Sequence, residues 1–216
     1  MSALQLIVGL GNPEVRYERT RHNAGFWFLD EVARKEGLEF RLEPRFQGWV
    51  ARVDGPARLW LLKPQTYMNR SGFSVQALAH FHRLTSDQIL VVHDDLDLPP
   101  GTIRLKRGGG PGGHNGLRDI QSQLGSSDFY RLRIGIGHPG DREQVANFVL
   151  DGPSGPQREA IDAALARGLS VLPELMRGEY GRVMNVLNGR PGETPRAGVS
   201  AGGAEGRRPV RKDENT

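Results

Sequence analysis

The sequence contains no cysteine, and this absence removes several kinds of chemistry at once. Disulfides, thiolate metal sites and cysteine nucleophiles are all excluded. No stretch approaches the roughly 20 consecutive apolar residues that a membrane-spanning helix needs. The amino terminus, MSALQLIVGLGNP, has neither the basic start nor the cleavage site of a secretory signal. We therefore expect a soluble, cytoplasmic protein.

Charge of one sign is only slightly in excess, because 29 Lys and Arg oppose 25 Asp and Glu for a net charge of +4. This balance permits a polyanionic partner without requiring one. Hydrophobic residues make up 37% of the 216 residues, enough for one packed domain, which we place at 1–189. From residue 190 onward the chain is mostly Gly, Pro, Arg, Glu and Ser, and this composition predicts a flexible tail over 190–216.

Short apolar runs bounded by Gly and Pro predict strands, and apolar residues at helical spacing predict helices. The predicted strands cover residues 4–8, 49–53, 58–62, 89–92, 102–107 and 132–136. The predicted helices cover residues 22–36, 71–82, 117–124 and most of 142–187. The expected buried face of the helix over 71–82 consists of Phe73, Ala77, Leu78 and Phe81. The alternation of strands and helices, with hairpins, predicts a single three-layer α/β domain with a mixed β-sheet flanked by helices.

Polar side chains cluster in loops that adjoin three of the predicted strands. These loops cover residues 9–13 with 20–25, 63–72, and 93–97. In an open α/β sheet such loops meet at the carboxyl ends of the strands, where ligands bind. Polar loop residues on a rigid scaffold are better functional candidates than core residues, so we expect the site there.

His22 lies at the predicted start of a helix, where the helix dipole disfavours imidazolium and helps to keep the ring neutral. An aspartate from another loop, with Asp94 as the candidate, could hold the second ring nitrogen and stabilise the charge that forms as a proton arrives. We expect such a base to lose activity below about pH 6.5, the usual histidine pKa. Each residue also has an ordinary alternative, since His22 could be a solvated side chain and Asp94 a loop anchor.

Asn12 and Asn69 lie in the same loops and supply neutral amides that both donate and accept hydrogen bonds. Such groups suit an ester carbonyl and its developing oxyanion, because they add no competing charge. The structural alternative is that each asparagine closes a turn in a Gly/Pro loop.

A glycine cluster at 108–116 opens a predicted helix, and it could either receive a phosphate on its backbone N–H groups or serve as a flexible lid. No Gly-Lys-Ser/Thr follows it, and residues 9–11 lack the third glycine of a dinucleotide site, so ATP and NAD are disfavoured. The histidines lack ligand spacing, and we predict no metal. The basic residues around this loop could form a phosphate-binding stripe or a solvated face. They are Arg104, Lys106, Arg107, Arg118, Arg131 and Arg133.

Taken together, the motifs resemble those of the bacterial peptidyl-tRNA hydrolase family. Six of them occur in the order of that family, namely GLGNP at 9–13, TRHNAG at 20–25, KPQTYMNRSG at 63–72, HDDLDLPPG at 93–101, GGGPGGHNGLRDI at 108–120 and YRLRIGIGHPG at 130–140. The resemblance covers the body of the chain from residue 4 to about 187 and excludes the tail.

The resemblance implies a monomeric, cofactor-free hydrolase that cleaves the ester between a peptide and the 3′-terminal ribose of tRNA. It implies that His22 is the general base, that Asp94 orients it, and that Asn12 helps to tell an N-blocked peptide from a free aminoacyl group. Lys106 and Arg133 are implied to clamp the 5′-phosphate region of the tRNA. The implied groove-lining residues are Tyr17, Tyr67, Met68, Asn69, His114 and Asn115. Of these, Tyr67 stands where the family commonly has phenylalanine, which keeps an aromatic wall.

Two other functions fit part of the same pattern. A non-catalytic RNA-binding protein would keep the basic stripe but has no need of His22, Asp94, Asn12 and Asn69 together. An amidase acting on free peptides would respond little to salt, whereas cleavage of a tRNA ester should weaken steeply as salt rises. The Gly, Pro and Ser content of 140–155 leaves open whether that segment closes over the groove.

Overall fold

The computed structural model describes residues 3–54 and 58–189, and within them seven strands form one sheet. The strands are β1 Leu6–Gly9, β2 Arg41–Glu43, β3 Gly48–Val53, β4 Leu59–Pro64, β5 Ile89–Asp95, β6 Ile103–Arg107 and β7 Tyr130–Gly135. Their order across the sheet is β2-β3-β4-β1-β5-β7-β6. The pairs β1–β4, β1–β5 and β5–β7 are parallel, and the other three pairs are antiparallel. The sheet is mixed, as predicted.

Helices cover both faces of this sheet. They are α1 Ala24–Glu36, α2 Ser71–Phe81, α3 Asn115–Leu124, α4 Val145–Leu150, α5 Gly155–Ser170, α6 Leu172–Met176 and α7 Tyr180–Asn188. Side chains of β1 alternate between the two faces. Leu6 and Val8 pack in the core formed with α2 and α3, whereas Ile7 packs in the core formed with α1 and α5 to α7. The predicted three-layer α/β class is confirmed.

The ends of the elements follow local signals where such signals exist. Helix α1 stops where predicted, because Gly37 adopts a φ of 63° in the left-handed conformation of a helix cap. Strand β2 was not predicted, since its first two residues are exposed and it carries no apolar alternation. The predicted tail at 190–216 lies outside the described residues.

The predicted buried face of α2 is wrong in part. Phe73 and Phe81 are 44% and 54% exposed, whereas the small Ser74 is fully buried. Helix α2 packs against α3 so closely that a Cβ at Gly72 would lie 2.5 Å from the carbonyl oxygen of Asp119. Close contact between two helices requires small residues, so hydrophobicity alone did not mark the buried face.

Across residues 3–54 and 58–189, none of the helices combines the length and the apolar character that crossing a bilayer requires.

Candidate active site

The carboxyl ends of β1 and β5 bring two of the predicted residues together. Asp94 lies on β5, and His22 lies in a single 3-10 turn, Arg21–Asn23, that leads into α1. Two glycines let the main chains touch at this point. A Cβ at Gly9 would lie 2.4 Å from the carbonyl oxygen of Gly25, and a Cβ at Gly25 would lie 2.4 Å from main-chain atoms of the residue after β1 and of β5. Backbone contact therefore sets the separation of His22 and Asp94.

His22 and Asp94 form a hydrogen-bonded pair. The Nδ1 atom of His22 lies 2.9 Å from each carboxylate oxygen of Asp94. Burial alone would raise the pKa of Asp94, but electrostatic interactions and hydrogen bonds with His22 and His114 outweigh it and hold that pKa far below its usual range. An ionised carboxylate only accepts hydrogen bonds, so Nδ1 of His22 carries a proton, and in the neutral ring its Nε2 keeps a lone pair. This is the protonation pattern that a general base needs.

His114 is the second partner of Asp94. Its Nε2 lies 3.1 Å from Oδ1 of Asp94, and its Nδ1 accepts the backbone N–H of Leu117 at 3.4 Å as the N-terminal cap of α3. Because Nδ1 accepts, Nε2 carries the proton and donates to Asp94. The family resemblance implied a groove-lining residue, and His114 does line a cavity beside His22. Both of its ring nitrogens are, in addition, engaged by groups of the protein itself. His114 is therefore placed to hold Asp94.

The pKa of His22 moves in the direction opposite to the one expected from the sequence. Burial lowers this pKa, but the negative charge of Asp94 and the hydrogen bond to it outweigh the burial, and the pKa is raised above its usual value of 6.5. The turn does precede α1, as predicted, but a full charge in direct contact has a larger effect than the partial charge of a helix start.

His93 had no predicted role, and it lies beside the same pair. Its Nδ1–H donates to the backbone oxygen of Asp94 at 2.6 Å, and its ring meets that of His114 edge to face at 5.1 Å. Burial, and after it the neighbouring His114, lowers the pKa of His93 to about 3. His93 is therefore neutral and adds no positive charge next to the pair of His22 and Asp94. Its position directly before Asp94 was the one signal for it in the sequence.

Asn12 is fixed by a relay of hydrogen bonds that links three loops. Its backbone N–H donates to Oδ1 of Asn23 at 2.8 Å, and Nδ2 of Asn23 donates to the backbone oxygen of Asn12 at 3.0 Å. The Oδ1 atom of Asn12 accepts the backbone N–H of Met68 at 2.9 Å. This contact fixes the orientation of the amide and leaves its Nδ2 group to donate to a ligand. Asn23, which was not singled out in the sequence, is the residue that holds this loop.

A groove of about 390 Å³ opens beside His22, and we call it the amide groove. Three asparagine amides and several apolar side chains line it, which suits a peptide. The lining residues are Asn12, His22, Tyr67, Met68, Asn69, Asn115, Ala146, Val149 and Leu150. The structure thus brings together four of the groove residues that the resemblance implied.

A second cavity of about 660 Å³ also borders His22, and we call it the cationic cavity. It shares with the amide groove His22, Asn115, Ala146 and Val149. The basic side chains that line it are Lys106, Arg118, Arg131, Arg133, His138 and Arg142, facing the carboxylates of Asp94, Asp95 and Asp97. The cavity therefore presents more positive than negative side chains, which suits an anionic ligand.

Two members of the predicted basic stripe serve the protein itself. The buried guanidinium of Arg131 donates to the backbone oxygens of Gly108 and Gly110 and so holds the glycine loop. Arg107 pairs with Asp128 at 2.7 Å on the surface. The stripe is therefore only partly free to bind phosphate.

The two residues of the implied tRNA clamp differ in their surroundings. Arg133 forms a forked ion pair with Asp95, with N···O distances of 2.6 and 3.1 Å. Lys106 is exposed at the rim of the cationic cavity, and within the described part of the chain it makes no hydrogen bond or ion pair. Lys106 is thus the more available of the two cations.

The two tyrosines implied to line the groove also differ. Tyr67 lines the amide groove, and its hydroxyl donates to Oε1 of Glu14 at 2.5 Å. Tyr17 lies outside the lining of both cavities, and the guanidinium of Arg16 covers its ring at 4.7 Å. The structure therefore brings Tyr67, but not Tyr17, to the walls around His22.

His22, Asp94 and His114 also lie close enough to bind one metal ion, because their ligand atoms are all within 4.8 Å of one another. Metal binding requires lone pairs on the nitrogens that face the ion. The hydrogen bonds instead place protons on both nitrogens that face Asp94, and the cap on α3 holds His114 in that tautomer. The donor set therefore favours the metal-free arrangement.

Comparison with known proteins identifies relatives of the whole body of the chain. The family model described as peptidyl-tRNA hydrolase matches residues 6–195. A peptidyl-tRNA hydrolase of Neisseria meningitidis serogroup B is 52% identical over 190 residues, which is 88% of this chain and 99% of that protein. The corresponding protein of Methylobacillus flagellatus is 52% identical over 188 residues, 87% of this chain and 98% of its own length.

Solved structures give the same result. The crystal structure of peptidyl-tRNA hydrolase from Acinetobacter baumannii superimposes with a TM-score of 0.85 at 46% sequence identity, covering 88% of this chain and 96% of that one. A match of this extent, in sequence and in fold, identifies the family of the protein. The chain belongs to the peptidyl-tRNA hydrolase family.

Proposed function

We propose that this chain hydrolyses the ester that joins a peptide to the 3′-terminal ribose of tRNA, with His22 as the general base. Membership of the peptidyl-tRNA hydrolase family supports the reaction, and the geometry around His22 supports the assignment of the base. Every group that the mechanism uses comes from the chain itself, and we propose that no cofactor takes part.

The observation that carries the proposal is that His22 lines two unlike cavities. It borders both the cationic cavity and the amide groove. Peptidyl-tRNA has the same division, because its scissile ester joins a polyanion to a peptide. A substrate with its nucleic-acid end in the cationic cavity and its peptide in the amide groove would present the ester to Nε2 of His22.

In the proposed reaction, Nε2 of His22 takes a proton from a water molecule as that water attacks the ester carbonyl carbon. The ring becomes an imidazolium, and the ionised Asp94 stabilises it through the two contacts at 2.9 Å. The carbonyl oxygen gains negative charge as the tetrahedral intermediate forms. The intermediate then collapses, the bond to the ribose oxygen breaks, and the imidazolium returns its proton to that oxygen.

Neutral donors around the groove are proposed to stabilise the oxyanion. The Nδ2 group of Asn12 is oriented by the contact between its Oδ1 and the backbone of Met68. The Oδ1 atom of Asn115 accepts a hydrogen bond from Arg118 at 3.0 Å, which likewise leaves its Nδ2 group to donate. Asn69 completes this set at the rim. Fixed donors of this kind act where charge develops and need no reorganisation during the reaction.

The finer assignments follow from the same geometry. We propose Tyr67, Met68 and Asn69 as peptide-side contacts, and Lys106 and Arg133 as contacts to tRNA phosphate. We also propose that the enzyme acts as a monomer in the cytoplasm, because one chain supplies all groups around His22 and peptidyl-tRNA forms where translation takes place.

The test is to incubate the protein with N-acetyl-aminoacyl-tRNA and with its unblocked counterpart, and to follow release of the acyl group from each. We expect faster hydrolysis of the blocked substrate, and we expect His22→Ala to lower that rate by about 10²–10⁴-fold while the protein stays folded. Binding of the tRNA without ester loss would favour the RNA-binding alternative. Cleavage of free N-acetyl peptides at a comparable rate, insensitive to salt, would favour the amidase.

A further inference from the structure

Arg21 is a buried arginine next to the proposed base, and no step of the mechanism uses it. It is only 7% exposed and lies in the same 3-10 turn as His22. Burying a guanidinium is costly unless its donors are satisfied. The partners of Arg21 therefore show what this side chain does for the protein.

Those partners lie more than 120 positions further along the chain, at the end of α4 and in the first turn of α5. One terminal nitrogen, NH1, donates to the backbone oxygens of Phe148 and Asp151 at 3.0 and 3.1 Å, and the other, NH2, donates to Oε1 of Gln157 at 2.9 Å. The guanidinium also stacks on the ring of Phe148, 4.0 Å from its centroid. The backbone N–H of Arg21 adds a fourth hydrogen bond, to Asp151 at 3.1 Å.

Helix α4 depends on such contacts because it has only six residues. A helix this short is not stable alone, and the carbonyl groups of its last turn have no partners within the helix. NH1 of Arg21 donates to one of these carbonyls, that of Phe148, and to the carbonyl of Asp151, the residue that caps α4. The guanidinium also places a positive charge at the negative end of the helix dipole. The next residue is packed as well, since a Cβ at Gly152 would lie 3.3 Å from the backbone oxygen of Arg19.

The same helix forms a wall of the candidate site. Ala146 and Val149, three positions apart on one face of α4, line both the cationic cavity and the amide groove, and Leu150 lines the amide groove. A residue adjacent to the base in sequence thus holds the helix that faces the base across the substrate space.

We propose that Arg21 is a positioning residue that latches α4 against the turn carrying His22 and so fixes the width of the cleft in which the ester is held. This inference rests on the proposed function for its kinetic part and on the structure alone for its mechanical part. Without the latch, α4 separates from the turn more often, and the substrate is held less well in reach of Nε2. A displacement of about 1 Å in such a site can cost about 10²-fold in rate.

The experiment compares three variants by hydrogen–deuterium exchange and by steady-state kinetics. Arg21→Met keeps the apolar stem but removes all donors, Arg21→Lys keeps the charge but cannot reach three oxygens at once, and Phe148→Leu removes only the stacked ring. We expect Arg21→Met to speed amide exchange in residues 147–151 by tenfold or more and to lower kcat/KM by up to about 10²-fold, mainly through KM. The other two variants should change both quantities in the same direction by less.

In the Arg21 variants, the pKa of the acidic limb in the pH profile of kcat/KM should equal that of the native protein, because Asp94 remains in place. Arg177→Met is the control, since Arg177 is an exposed arginine that pairs with Glu179 away from α4, and it should change neither quantity.

Unchanged exchange in α4 for Arg21→Met, or a shifted pKa of the base without faster exchange, would overturn the latch. If Arg21→Met does not fold, Arg21→Lys and Phe148→Leu decide the question in the same way. Exchange is measured without substrate, so faster exchange in α4 supports the latch even if the protein were to leave the tRNA ester intact. Faster exchange in α4 together with an uncleaved tRNA ester would overturn the proposed function but not the latch.

Discussion

His114 donates its Nε2–H to the same oxygen of Asp94 that His22 contacts, so one carboxylate serves two histidines. A hydrogen bond to a charged group contributes about 1.5–3 kcal/mol. The second donor therefore helps to keep Asp94 ionised and in place against His22.

We predict that His114→Asn lowers kcat about tenfold or more while leaving the fold stable. Asparagine is a good N-terminal cap and can replace the ring at the start of α3, but it cannot also reach Asp94. His114→Ala should show the same kinetic loss and in addition lose about 1 kcal/mol of unfolding free energy in urea, because the cap is gone. If both variants kept the native kcat, His114 would not support the reaction through its hydrogen bond to Asp94.

The raised pKa of His22 predicts an acidic limb above pH 6.5 in the profile of kcat/KM. The base works only when its ring is neutral, and a raised pKa keeps the ring protonated up to a higher pH. Activity should therefore be lost as the pH falls through a value above 6.5. Asp94→Asn removes the charge that raises this pKa, so NMR titration of the His22 ring should show a lower pKa in that variant. Its kcat should fall by at least about 10²-fold, because the tautomer is no longer fixed. An identical ring pKa in both proteins would contradict the assignment of the cause.

Asn12→Asp separates the two roles of the Asn12 side chain, which are to accept a hydrogen bond from Met68 and to donate one to the substrate. The new carboxylate can still accept the backbone N–H of Met68, but it cannot donate to a substrate oxygen, and its charge repels an oxyanion. We expect a thermal midpoint close to that of the native protein and a loss of about 10²-fold in kcat/KM for N-acetyl-aminoacyl-tRNA. Asn12→Ala is the comparison, and it should lose thermal stability as well. Full activity in Asn12→Asp would show that no donation from this position is needed.

Salt dependence should distinguish the two cations of the implied clamp. Lys106→Gln is expected to reduce the slope of log KM against log salt by about 0.7–0.9, the value for one phosphate contact. Arg133→Gln should raise KM further, because it leaves the carboxylate of Asp95 unpaired in the cationic cavity. Adding Asp95→Asn to Arg133→Gln should recover part of that loss. If the double variant is no better than Arg133→Gln alone, the whole loss comes from the missing phosphate contact of Arg133, and the unpaired carboxylate of Asp95 contributes nothing.

The contact between α2 and α3 gives a prediction about stability alone. Gly72→Ala should lower the free energy of unfolding by about 1–3 kcal/mol, because its Cβ would lie 2.5 Å from the backbone oxygen of Asp119. Gly155→Ala is the matched control in α5, where a Cβ would meet no atom within 4 Å, and it should be neutral or stabilising by up to about 1 kcal/mol. Denaturation in urea measures both, and equal values would mean that the two helices can move apart at little cost.

The sequence was sufficient to predict the layered α/β class, because long apolar runs and Gly or Pro boundaries mark the central strands directly. It was insufficient for α2, where Phe73 and Phe81 are apolar yet exposed. Burial there is decided by how closely α3 approaches, and that distance is a property of two segments some 40 residues apart. The apolar periodicity of α2 alone gives no information about that distance.

The sequence indicated several of the residues that the structure brings together around His22, but not the electrostatics of the site. Motif order was enough to indicate His22, Asp94 and Asn12. The direction of the pKa shift at His22 was not predictable, because a helix start and a buried carboxylate have opposite effects and only coordinates give their relative distances. His93 and Asn23 were missed for a related reason, since each acts through a neighbour and carries no chemical signature of its own.

The two glycines where β1 crosses α1 limit which substitutions this enzyme can tolerate. Main-chain packing sets the separation of His22 and Asp94, so a methyl group added at Gly9 or Gly25 would push these two side chains apart while leaving both of them intact. Loss-of-function substitutions are therefore expected at Gly9 and Gly25, which carry no side-chain functional group. Mutagenesis confined to polar side chains would overlook both positions.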